Sequence, residues 1–276
     1  MSKEKTRSEF AHKVKQLVDK LPLFPKDVDR LLAAAVKPNK KNAEILRLIQ
    51  RDPVLGNELL ELLGRYYASA KRAKTVENAV DCVGTQPLTQ LIGVLYARDA
   101  IRKELSSLKY MNEYLDHSED ISVACHILAN ISGAPQDKRE MYTVAGLMHD
   151  IGRLAIMAAS KKNGAHFLGT LWGRMTSVIS DENMVFGTDH CKVGAQICRK
   201  WNFSPIIQEG VLRHHSPLVD SDFSIPGALI FISHFLSASD PSGEILSNLS
   251  VAKVVAELKI SEADFNKAKE IYKAQR

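Results

Sequence analysis

The chain reads as an all-α protein, a multi-helix bundle, and three observations predict this. Apolar residues recur at helical spacing along nearly the whole chain, as in Ala43, Leu46 and Ile49 and then Leu55, Leu59, Leu62 and Leu63, the three-and-four-residue pattern of an amphipathic helix. Period-two alternation is nearly absent, so strands find no support. Prolines 22, 25, 38, 53, 87, 135, 205 and 217 fall between the apolar stretches, where they punctuate helices that could not tolerate them inside.

Taken in order, the N-terminal MSKEKTRSEFAHKVKQLVDK is charged and has no apolar leader. No window approaches the roughly 18 apolar residues that span a bilayer, so the expectation is a cytoplasmic protein without a membrane partner. The stretch from Leu21 to Ala70 reads as two packed helices meeting at Asp52-Pro53, because proline suits a first helical turn. TVENAVDCVGTQPLTQLIGVLYARDAIRKEL then gives a short helix, a stop at Gly84 and a long helix entered at Pro87, with Thr85 or Gln86 near its cap. That closes a helical N-terminal lobe over residues 1–106, and residues 107–276 form a second helical lobe in direct contact with it. Loose connections are expected around 132–138, 161–164 and 237–247.

Composition narrows the function classes. With 276 residues, 45% hydrophobic and 25% charged, the chain is long enough for two modest cores and has neither a disordered nor a membrane-embedded composition. Its net charge of +5 is spread among acidic residues, so no nucleic-acid partner is expected. The basic cluster Lys37, Lys40 and Lys41 and the acidic run Asp181-Glu182 read as solvated loops. Cys82, Cys125, Cys191 and Cys198 form no CxxC pair. Disulfides and thiolate zinc sites are therefore not expected, and the cysteines read as buried small hydrophobes. Tyr66, Tyr67, Trp172 and Trp201 read as packing residues.

The second lobe concentrates metal-capable side chains at His117-Ser118, His149-Asp150, Asp189-His190, His214-His215 and His234. Helices of a bundle can project such groups into one cavity. In YTVAGLMHDIGRLAIMAAS, His149 and Asp150 lie side by side at the middle of an apolar helix, about 100° apart around its axis. An ionisable pair in such a stretch is costly unless compensated, and a divalent cation or a neighbouring donor would compensate it. GTDHCKVGAQICRKW reads as a helix start with Thr188 or Asp189 as cap. His214-His215 also suits a helix C-terminus, which favours cationic side chains.

The order and spacing of these pieces resemble the HD superfamily of metal-dependent phosphohydrolases, including its cyclic-dinucleotide phosphodiesterase branch. The LPLFP opening, LIQRDPVLGNELLELL, TVENAVDCVGTQPLTQLI and GLMHDIG in sequence make the chain resemble, more narrowly, an HDOD domain protein over about residues 20 to 240. The resemblance implies an HD-domain-like bundle. It implies His117, His149, Asp150, His190, His214, His215 and His234 as metal positions, and Asp150 and Arg153 as catalytic groups, with Arg153 as a phosphate contact. Nitrogen and oxygen ligands suit iron, manganese, zinc or nickel, and no organic cofactor is expected. Two departures weigh against turnover: His234 stands where the superfamily has an aspartate, and the Gly-Tyr-Pro loop expected after His214-His215 is missing. The resemblance thus leaves two readings, a bacterial regulatory module with signalling protein partners, or an active hydrolase of a nucleotide or phosphodiester ligand.

Overall fold

A computed structural model of the chain describes residues 3–34, 42–66, 75–104, 111–160, 178–237 and 249–275. The basic cluster, Tyr67, Trp172, the connections at 161–164 and 238–247, and the lobe boundary expected at residue 106 lie outside them, as does the Tyr66 side chain. The described residues are almost wholly helical, with one two-residue hairpin.

The first helices are α1 (Lys3–Lys20), α2 (Lys26–Ala34), α3 (Asn42–Arg51) and α4 (Pro53–Tyr66). Asp52 separates the last two as predicted: its carboxylate accepts from Leu55 N at 3.1 Å, satisfying a donor that the helix start leaves orphaned. Helix α5 (Val76–Val83) is capped by Thr75, which accepts from Asn78 N, and ends at Gly84 with φ 89°, a conformation that favours glycine. Helix α6 (Thr85–Glu104) follows at once.

The remaining helices carry the site. They are α7 (Met111–Ile131), α8 (Gln136–Met148), α9 (151–160), α10 (Val178–Phe186), α11 (His190–Lys200), α12 (Pro205–Arg213) and α13 (Ile225–Ser237). Helices α14 (Leu249–Glu257) and α15 (Glu262–Ala274) complete the order. Strands β1 (Leu218–Val219) and β2 (Asp222–Phe223) pair antiparallel between α12 and α13. No period-two signal marks them, because strands this short show none; Arg213 holds the hairpin through Asp222 at 2.8 Å.

Helices α7, α8, α12 and α13 pack on one another, and α6 touches α8, so the early helices and the later bundle share an interface. Helix α1 returns to α10 and α11, with Phe10 against Phe186 at 4.9 Å between ring centroids. Trp201 is buried, stacks on Phe24 at 4.9 Å and donates its indole N–H to Pro22 O at 2.9 Å. Such an aromatic pair adds about 0.5–1.5 kcal/mol to the area it buries. No described helix is long and apolar enough to cross a membrane.

Candidate metal centre

Five elements deliver the cluster. His117 comes from the first turns of α7, His149 and Asp150 from the turn joining α8 to α9, His190 from the start of α11, His214 and His215 from the end of α12, and His234 from α13. His149, His190 and His214 are wholly buried and Asp150 is 1% exposed. Ring centroids of His149 lie 5.1 Å from His117, 5.0 Å from His214 and 5.0 Å from His234.

Asp150 is the hub. Its Oδ1 lies 3.2 Å from His190 Nε2 and 3.5 Å from His214 Nε2. Its Oδ2 lies 3.4 Å from His149 Nε2 and 3.7 Å from His117 Nε2. Two donor groups result, Asp150 with His190, His214 and His215 on one side, and His117, His149 and His234 on the other.

Outer hydrogen bonds fix which nitrogen faces the centre. His149 Nδ1 donates to Gly146 O at 2.8 Å, His214 Nδ1 to Val211 O at 2.8 Å and His234 Nδ1 to Ile230 O at 2.9 Å. His190 Nδ1 donates to Glu182 Oε2 at 2.6 Å. Each ring thus turns its Nε2 inward, the arrangement that orients metal-ligating histidines. His149 Nε2 has no hydrogen-bond partner, and it faces a carboxylate oxygen 3.4 Å away. Two acceptors in buried contact repel unless a cation lies between them. The donor set therefore fits a divalent ion, and it is a nitrogen and oxygen set that suits iron, manganese, zinc or nickel.

The HDOD domain model matches residues 21–217 of the chain. The chain belongs to the HDOD domain family. Among solved structures, a candidate phosphohydrolase from Shewanella amazonensis SB2B is 20% identical with a TM-score of 0.70, over 96% of this chain and 94% of that one. A candidate signal-transduction protein from Marinobacter aquaeolei VT8 is 16% identical with a TM-score of 0.67, over 98% of this chain and 64% of that one. Both show the HD-like helical fold. A curated relative, Ribonuclease Y of Geobacter sulfurreducens, is 28% identical over 178 residues, 62% of this chain and 28% of that protein. The match thus spans under a third of the relative.

All seven metal positions expected from the HDOD resemblance meet in one cluster. Two expectations about their surroundings need correction. First, the helix does not run through His149-Asp150: α8 ends at Met148 and the chain turns before 151–160. The turn lets α9 approach α11 so closely that a Cβ on Gly152 would lie 2.0 Å from His190 O and 2.5 Å from Gly194 N. Second, Asp181-Glu182 is not a solvated loop. Both belong to α10, and Glu182 is 0% exposed, accepting from the His190 ring and from His190 N at 2.8 Å. The missed signal is the stripe Val178, Glu182, Phe186 at four-residue steps, which places a carboxylate on the buried face. Arg153 is buried beside them. It is 4% exposed, and its Nε lies 2.8 Å from Asp150 Oδ1.

Asp189 caps α11 as one of the two expected residues, accepting from Lys192 N at 2.9 Å. Cys191 is buried as expected, yet its Sγ also touches His190 Nε2 and His214 Nδ1 at 3.6 Å each. Being nearer Nδ1 than Nε2 of His214 (3.6 against 3.9 Å), the sulfur lies beside that ring and off the lone-pair direction of its Nε2.

Burial first, then the charge of His149, holds His117 down to about 3. Burial likewise depresses His149, His215 and His234, so these rings are neutral and able to ligate. Burial alone would raise Asp150, but Arg153 first and His149 next keep its carboxyl well below the usual range. His214 rises to about 9: burial opposes this, and Cys191 and then Asp150 bring it about.

Proposed function

We propose that this HDOD protein is a regulatory module whose histidine and aspartate cluster binds a divalent transition metal, and that it acts through signalling protein partners. One observation carries the metal reading: the buried Nε2 of His149 faces the buried Asp150 carboxylate at 3.4 Å without a hydrogen bond between them. Asp150 with His190, His214 and His215 on one side, and His117, His149 and His234 on the other, are the residues available to hold ions. Bound there, a divalent ion would polarise a phosphoryl oxygen and lower the pKa of a bound water.

The regulatory role is favoured by what surrounds the cluster. Asp150 is occupied by Arg153, the position of the superfamily's last aspartate is His234, and three ring ligands are sealed from solvent. A groove of about 410 Å³ opens elsewhere, between α4, α6 and α7, and none of the clustered histidines lines it. A second reading, hydrolysis of a nucleotide or phosphodiester, is supported by the cluster's open edge at His117, whose side chain is 19% exposed.

The test is elemental analysis of the untagged protein beside a His149→Ala, Asp150→Ala double variant, both shown to be folded. Metal near one equivalent or more per chain, lost in the variant, is expected. A wild-type chain that stays metal-free after reconstitution with iron, manganese, zinc and nickel would sink the metal reading. Turnover of a phosphodiester by the loaded wild type, abolished in the variant, would replace the regulatory reading with the enzymatic one.

A further inference from the structure

We infer that the cluster holds a single metal ion, on the Oδ2 side of Asp150 with His117, His149 and His234, and that the Arg153 guanidinium takes the place of a second ion on the Oδ1 side. This rests on the metal-binding reading above.

The two sides of Asp150 are unlike. Oδ1 is crowded: Arg153 Nε at 2.8 Å, His190 Nε2 at 3.2 Å and His214 Nε2 at 3.5 Å all meet it. His190 and His214 also meet each other, Nε2 to Nε2, at 3.1 Å. Oδ2 meets the imidazoles of His149 and His117, and His149 has an Nε2 without a hydrogen-bond partner. The cation is therefore missing on the Oδ2 side and already supplied on the Oδ1 side.

Charge points the same way. The buried carboxylates about the cluster are Asp150 and Glu182, and both act on the buried guanidinium of Arg153. Two carboxylates set against one guanidinium leave little negative charge for added cations to neutralise. A second divalent ion would add two more positive charges among residues that solvent barely reaches, a state that buried charge strongly disfavours. A further carboxylate would relieve it, but His234 contributes a neutral ring instead. Arg153 is held between Asp150 and Glu182, as a fixed internal counter-ion, and does not extend outward to meet phosphate.

The experiment is to strip the full chain of metal, reload it separately with manganese, iron, zinc and nickel, and count ions per chain by elemental analysis. Electron paramagnetic resonance of the manganese form then reports whether neighbouring spins couple. One ion per chain with an uncoupled manganese spectrum is expected, lost in His149→Ala and kept in folded His190→Ala. In Arg153→Met the count is expected to rise to two, with spin coupling. Two coupled ions in the wild type, or loss of the ion in folded His190→Ala, would overturn the inference and leave the metal-binding reading standing. No ion with any of the four metals overturns both. The wild-type count decides even if no variant folds.

Discussion

Glu182 shows how a single carboxylate arranges a site it does not enter. One of its oxygens receives both the ring and the backbone N–H of His190, at 2.6 and 2.8 Å. That pair of bonds turns the His190 Nε2 toward Asp150, and the negative charge also steadies Arg153. Glu182→Gln keeps the shape and removes the charge. Loss of charged hydrogen bonds of this kind costs about 1.5–3 kcal/mol, and denaturant unfolding of the metal-free variant is expected to show a loss in that range. An unchanged midpoint would mean that the carboxylate is dispensable. At this scale His149 and His234 were legible because each interrupts an apolar stretch, and His117, His190, His214 and His215 through their order and spacing along the chain. Glu182 was not, since its neighbour Asp181 made it resemble a surface pair, and only the spacing to Val178 and Phe186 betrays the buried face.

The helix junctions, more than the helices, bring these groups together. Asp52-Pro53 and Gly84 could be read directly, because a capping carboxylate, a proline and a left-handed glycine are local devices. The turn at His149-Asp150 could not, because no breaker precedes it and the apolar run reads straight through. Tertiary packing makes it: α9 crosses α11 with Gly152 directly against the backbone of His190 and Gly194. Backbone on both sides leaves no flexible side chain to give way. Gly152→Ala is therefore expected to cost about 3 kcal/mol, at or beyond the top of the usual overpacking range, and to separate Asp150 from His190. Unfolding in urea and metal content check the two effects, and a variant with wild-type stability and full metal content would show that the crossing is looser. Asp189→Ala, which removes the cap of α11 but no ligand, is expected to cost only about 1 kcal/mol.

For the whole molecule, the expected all-helical bundle is what the structure shows, but the sequence could not say how much acid lability so many buried imidazoles impose. An unfolded histidine titrates near 6.5. In the fold, His117 is held at about 3, and His149, His215 and His234 are also displaced downward, in each case chiefly by burial. Their contribution is complete above the unfolded value. It is lost as pH falls below about 6.5, where the unfolded chain takes up protons that the folded cluster refuses, at about 1.4 kcal/mol per pH unit for each histidine. His214, raised to about 9, works in the opposite sense. Its stabilisation is full below the unfolded value and fades as pH rises through 9, so it leaves the acid limb untouched. Asp150, depressed, contributes fully above about 3.9. These four histidines, with His126 lowered to about 4 by burial, set against a total stability of about 5–15 kcal/mol predict that the metal-free chain unfolds within about one to two pH units below about 6.5. Urea unfolding at successive pH values measures the slope. His234→Leu removes one of the four, and its acid limb is expected to be shallower by about 1.4 kcal/mol per unit. An unchanged slope would mean that His234 takes up its proton in the folded chain, and that its ring is not the neutral ligand the cluster requires.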